Sequence, residues 1–97
     1  MKAYLHLVEY SLSQDCTISV WDGEEWQVNE SNDFKAITEA IESVEEAEIK
    51  IVKQPEISLA GWALVCAHGL EDDETVIDHL DNDFMQIWWE IYTKFVV

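Results

Sequence analysis

The residue types most able to do chemistry are concentrated between Cys66 and Asp83. Glu71, Asp72, Asp73, Glu74, Asp78, Asp81 and Asp83 supply hard oxygen donors, with His79 among them. A calcium loop needs acids at alternating positions, a central glycine and a glutamate at the twelfth position. Asp72, Glu74 and Asp78 do not fit that frame, and no glycine lies inside it. Zinc sites draw their ligands in close pairs such as C-x-x-C or H-x-x-x-H; Cys66, His68 and His79 form no such pair. Cys66 and His68 would share one face of a strand, as a nucleophile and base must. They lack the glycine-rich elbow or oxyanion loop that goes with that chemistry. The three glycines, at 23, 61 and 69, build no phosphate cradle. No catalytic residue, metal or cofactor is therefore expected.

What remains is the distribution of carboxylates. Glu39, Glu42 and Glu46 recur at helical spacing three and four, with Glu45 and Glu48 beside them. Like charges one turn apart cost a few tenths of a kcal/mol per pair, and Lys35 and Lys50 are the only nearby cations. One helical turn is roughly 5.4 Å, a spacing comparable to that of phosphates along a nucleic-acid strand. A second acidic set runs through Glu71, Asp72, Asp73, Glu74 and Asp78.

The net charge is −16, from 21 acids against five Lys and Arg, and all five are lysines. Arginine supplies the forked contacts to phosphate and guanine, and clustered Lys/Arg supplies most nucleic-acid affinity. The chain is therefore not expected to bind nucleic acid directly, and anionic membranes repel it in the same way. A basic protein partner is favoured by the opposite sign of the same field. An apolar fraction of 48% argues against disorder. No secretory leader is visible in the start Met1-Lys2-Ala3-Tyr4. The chain reads as a cytoplasmic protein with Cys16 and Cys66 reduced.

The elements that must position these residues follow from periodicity. Residues 3–12 alternate Tyr4, His6, Val8 and Tyr10 against Leu5, Leu7 and Leu12, as a central strand would, although a short helix fits as well. Residues 16–29 form a hairpin. A three-residue loop Trp21-Asp22-Gly23, with Gly23 left-handed, sets Ile18 opposite Trp26 and Cys16 opposite Val28. Ser31-Asn32-Asp33 caps a helix carrying Phe34, Ile37, Ile41 and Val44 inward and ending near Val44 to Glu46. Residues 48–53 form a strand with Ile49 and Ile51 inward. A turn at Gln54-Pro55-Glu56 leads into a strand over 57–68, in which Trp62, Leu64 and Cys66 face away from Ala63, Val65 and Ala67. Gly61 marks a bulge.

Residues 81–97 form a terminal helix capped by Asp81-Asn82-Asp83. It carries two apolar stripes: Phe84, Ile87, Trp88, Ile91 and Phe95 in one, Met85, Trp89, Tyr92 and Val96 in the other. The order ββαββα implies one α+β domain over residues 1–97: an antiparallel sheet of about four strands with two helices on one face.

Size and charge together suggest a non-enzymatic acidic protein that occupies the nucleic-acid-binding surface of a partner. Phages and mobile elements use such DNA mimics against restriction or CRISPR nucleases. Glu39, Glu42, Glu45, Glu46, Glu71, Asp72, Asp73, Glu74 and Asp78 then stand in for phosphates, and Trp88, Trp89 or Tyr92 serves as an aromatic anchor. Two other readings fit the same composition. One is an immunity or antitoxin-type inhibitor of a single basic toxin. The other is an accessory homodimer joined through the terminal helix, whose acids serve only solubility.

Overall fold

The computed structural model describes residues 1–69 and 71–96, the Val96 side chain excepted. In chain order the elements are α1 (Ala3–Ser13), β1 (Cys16–Trp21), β2 (Trp26–Ser31), α2 (Phe34–Glu42), β3 (Ala47–Lys53), β4 (Ser58–Val65), a 3-10 turn at Asp72–Thr75, β5 (Val76–His79) and α3 (Asp83–Val96). The strands form one antiparallel sheet in the order β2-β1-β3-β4-β5. The α+β class holds, but among the described residues the order is αββαβββα, with three helices and five strands in place of two and four. All three helices contribute to one core against a single face of the sheet.

The segment 3–12 is a helix and not a strand. Ala3, Tyr4, Leu7, Val8 and Ser11, spaced by three and four, are its buried residues. Its apolar residues satisfy both a period of 2 and a period of 3.6, so pattern alone leaves the choice open. A strand apolar on both faces needs cover on both, and this sheet is covered on only one. Packed on the sheet, the same residues bury one stripe. The Ser11 hydroxyl within that stripe donates to the Leu7 carbonyl at 2.7 Å, so burial leaves it satisfied.

The hairpin has a four-residue connection with a register different from the expected one. Trp21 pairs with Trp26, Val20 with Val28 and Ile18 with Ser31, with irregularities between these pairs. The Asp22 carboxylate accepts from the backbone N–H groups of Glu24 and Glu25, and the Asp22 N–H donates to the Glu25 carbonyl. That side-chain turn does the work assigned to a tighter loop, although Gly23 does take the left-handed conformation at φ 104°. Pairing indole with indole and valine with valine suits cross-strand packing better than the expected pairs.

In β3, Ile49 and Ile51 face the core as expected, and in β4 Ala63 and Val65 do so. The bulge at Gly61 is present: Ile51 pairs with Gly61 but Val52 with Leu59. A side chain at Gly61 would place its Cβ 2.5 Å from the Met85 sulfur, so glycine here lets α3 lie close on the sheet. The residues after the acidic run, to which no element is assigned from the sequence, form the edge strand β5, where Val76 pairs with Val65. Four residues are too few to signal a strand by alternation. Cys16 lies opposite Lys53 at one end of β3, and Cys66 follows Val65, which lies opposite Ala47 at the other. The two thiols are thus separated by roughly 20 Å of strand, and both are free.

The terminal helix divides its apolar residues differently from either expected stripe. Met85, Trp88 and Tyr92 are fully buried, whereas Ile87, Trp89, Ile91 and Phe95 stay exposed. The buried set takes residues from both stripes because the largest rings find room between the sheet and α1. The Val96 side chain and Val97, which end that stretch, lie outside the described residues. Asn82 caps the helix, accepting from the Met85 N–H at 3.1 Å while its amide donates to the Ala60 carbonyl.

The Trp88 indole N–H donates to His6 Nδ1 at 3.1 Å, which ties α3 to α1 and requires a neutral imidazole. Burial lowers the His6 pKa, and the N-terminal charge lowers it further against the opposing pull of Glu9. The folded state therefore takes up its proton at lower pH than the unfolded chain, whose histidine titrates near the ordinary value of about 6.5. Stability from this group is fully present above that value and is lost as pH falls through the folded pKa. In thermal scans from pH 7 towards pH 5, the wild type is expected to lose more stability than His6→Asn. The carboxylates are common to both proteins, so the difference isolates His6. Parallel pH curves would show that His6 does not carry the effect.

Candidate functional site

Three chain reversals emerge side by side at one end of the sheet. Trp21 pairs with Glu48, Ala47 with Val65, and Val65 with Val76. The β1–β2 loop, the α2–β3 connection and the β4–β5 connection are therefore neighbours. The first carries Asp22, Glu24 and Glu25; the second, with the last residue of α2, Glu42, Glu45 and Glu46; the third Glu71, Asp72, Asp73 and Glu74. Ten of the chain's 21 acids are thus gathered at one end. Two distant acidic stretches and a third from the hairpin are brought together by strand register alone.

Tyr4 ties the second reversal to the third. Its backbone N–H donates to the Thr75 hydroxyl at 3.2 Å, and its own hydroxyl donates to the Glu42 carboxylate. Burial, followed by the hydrogen bond and negative charge of Glu42, pushes the Tyr4 pKa far up, so the hydroxyl stays protonated and donating. His68 Nε2 lies 3.0 Å from the Glu42 carbonyl. The Lys2 ammonium donates to the Ala67 carbonyl at 3.0 Å, and the N-terminal amine faces Asp72 at 4.0 Å. In the hairpin loop, the backbone N–H groups of Glu25 and Glu24 and the Gln27 amide hold the Asp22 carboxyl below its ordinary pKa. Hydrogen bonds thus tie the acidic end to α1 and fix the Asp22 turn.

The expected site residues divide into three groups. Glu42, Glu45, Glu46, Glu71, Asp72, Asp73 and Glu74 converge at this end. Glu39 is one turn away, exposed and within 3.9 Å of Lys35. Asp78 lies on β5 opposite Leu64, on the sheet face that no helix covers. The regular row Glu39–Glu42–Glu46 is not formed. α2 ends at Glu42 with Ser43 as its C-cap, so Glu45 and Glu46 follow a bend and not a helical line. Trp88 and Tyr92 do not serve as surface anchors. Both are buried, with ring centroids 5.9 Å apart, and the Tyr92 hydroxyl donates to the Met1 carbonyl at 2.9 Å. Burial, with Asp72 and Asp73 nearby, raises the Tyr92 pKa. Trp89 is partly exposed at 36% and packs beside His79.

Sequence reasoning missed the uncovered sheet face. Trp21, Trp26 and Trp62, with Glu48 and Lys50, line an open hollow of about 380 Å³. A second hollow of about 530 Å³ continues from it past Ser19, Asn29 and Val52 to Leu59. The signal was present. If Ile49 and Ile51 face inward, Glu48 and Lys50 face outward, and register places Trp21 and Trp62 beside them. Among the described residues, no group of three or more His, Cys, Asp or Glu side chains is arranged to hold a metal ion. No described helix is long and apolar enough to cross a membrane. Comparisons with protein-family models, with curated proteins and with solved structures find no match to this chain.

Proposed function

We propose that this chain is a non-enzymatic binding protein whose acidic end occupies a basic, nucleic-acid-binding surface of a partner protein. The class of such proteins is the DNA-mimic inhibitor of a host nuclease or defence system, of the anti-restriction or anti-CRISPR type. One observation carries the reading: three separate chain reversals deliver ten of 21 acids to one end of a 97-residue domain. Local repulsion opposes such a gathering, and solubility alone would be served as well by dispersed charge. The bend after α2 removes the ladder-like row, so the resemblance to nucleic acid lies in the field and not in a copied phosphate spacing. The test is capture of partners from lysate on the immobilised chain, eluted by salt or by competing DNA. A basic nucleic-acid-binding protein released by both is the expected result; capture insensitive to salt and to DNA would defeat the proposal.

A specific observation favours a second reading, the immunity or antitoxin-type inhibitor. Trp26 stands 46% exposed next to the acidic hairpin loop, the position of a hot-spot anchor rather than of a diffuse field. Alanine scanning dominated by one or two residues would select this reading. A homodimer through α3, using the exposed Ile87, Ile91 and Phe95, is compatible with both and is checked by sedimentation across concentrations.

A further inference from the structure

The hollow on the uncovered sheet face is built from a specific set of side chains. Trp21 and Trp26 meet edge to face, with ring centroids 5.1 Å apart and planes at 66°. Trp21 lies opposite Glu48 across β1 and β3, and Trp62 lies opposite Lys50 across β3 and β4. Glu48 therefore stands between Trp21 and Leu64 and diagonal to Trp62, and its row continues to Asp78. The loop bearing Glu24 and Glu25 adjoins Trp26 directly. Further along β1 on the same face, Ser19 is buried beneath β2, where its hydroxyl accepts from the Glu30 N–H at 2.8 Å.

We infer that this hollow receives an arginine side chain of the basic partner, with the guanidinium over the indole faces and its fork directed at Glu48. Indole faces carry negative potential and attract cations, tryptophan most strongly. A guanidinium is planar, stacks on aromatic rings, sheds water more readily than an ammonium and matches a carboxylate with two parallel donors. Charge complementarity selects this occupant, because a chain of net charge −16 with carboxylates in and around the hollow repels anionic ligands. The inference rests on the proposed function and adds the residue type recognised and the place of recognition.

Lys50 makes the inference sharp. It lines the same hollow, two residues from Glu48 along β3, roughly 6.6 Å away. Among the described residues its ammonium forms no ion pair. For an incoming guanidinium Lys50 is a repelling neighbour, whereas for an anionic ligand it would be the main contact. The two kinds of occupant thus predict opposite effects of removing its charge.

The experiment titrates the full chain at low salt with two synthetic peptides of equal length and charge. One alternates arginine with glycine, the other lysine with glycine, and binding is read by tryptophan fluorescence and calorimetry. The arginine peptide is expected to bind more tightly. Trp26→Ala, Trp62→Ala and Glu48→Gln, each checked for folding by circular dichroism, should weaken it by about five- to tenfold. Lys50→Gln, an exposed change, should strengthen it by about two- to fivefold. Equal affinity for both peptides, folded tryptophan variants that bind unchanged, or weaker binding by Lys50→Gln would each overturn the arginine site. If the tryptophan variants bind normally while neutralising Glu45, Glu46, Glu71 and Glu74 weakens binding, the proposed function stands without this site. If neither peptide binds, both fall.

Discussion

Replacing Trp88 with alanine is expected to destabilise the fold by about 3–5 kcal/mol, the range for large aromatic truncations in a core. Trp88 is fully buried, stacks against Tyr92 and donates to His6, so one side chain holds α3 against both α1 and the sheet. Its removal would leave a cavity that the surrounding strands cannot close and an imidazole without its donor. For a domain of 97 residues the change corresponds to a fall in Tm of roughly 15–30 °C. Urea unfolding with a two-state fit measures it directly. Trp88→Phe keeps most of the ring volume but loses the N–H, and is expected to fall between wild type and Trp88→Ala. A loss below about 1 kcal/mol for Trp88→Ala would mean that α3 is not docked through this residue.

The second large effect concerns association. Neutralising Glu45, Glu46, Glu71 and Glu74 to glutamine removes four of the ten carboxylates at the acidic end without touching the core. The association rate with the captured partner should fall by about 10- to 100-fold at low ionic strength, the range that electrostatic steering supplies. The difference should shrink as salt approaches the point where the screening length drops to about 3 Å, near 1 M. Removing like charges that face one another should also raise Tm slightly. Stopped-flow mixing at several salt concentrations separates the outcomes. An unchanged association rate with a faster dissociation rate would point to a specific contact patch, as an immunity-type inhibitor uses, and away from a field.

Several elements were legible because their signals are local. Asp33 caps α2 through its own carboxylate, accepting from the N–H groups of Lys35 and Ala36, as its position before an amphipathic run implies. Ile49 and Ile51 alternate with Glu48 and Lys50, so β3 and its inward face could be read directly. The bulge at Gly61 was readable from a glycine inside an apolar strand. The segments that misled share one property: their pattern satisfies two geometries at once. The α1 segment is apolar at both helical and strand periods, and the terminal helix is apolar nearly all round. Neither choice can be made without knowing what lies on each side. The hairpin register escaped because Asp22 builds its turn with a side chain, and a one-residue difference reassigns every cross-strand partner.

The chain by itself determines the class of fold, the absence of arginine and the −16 charge. These depend on composition and on interactions within a few residues, which are encoded one segment at a time. Only the tertiary structure decides which carboxylates become neighbours, because their proximity is set by the pairing of β1, β3, β4 and β5 and not by distance along the chain. It also decides that Trp88 and Tyr92 are core while Trp21, Trp26 and Trp62 line an open face. A tryptophan has the same hydrophobicity in every context. Whether it is buried or left facing solvent depends on where three helices find room, and here they all lie on one side of the sheet.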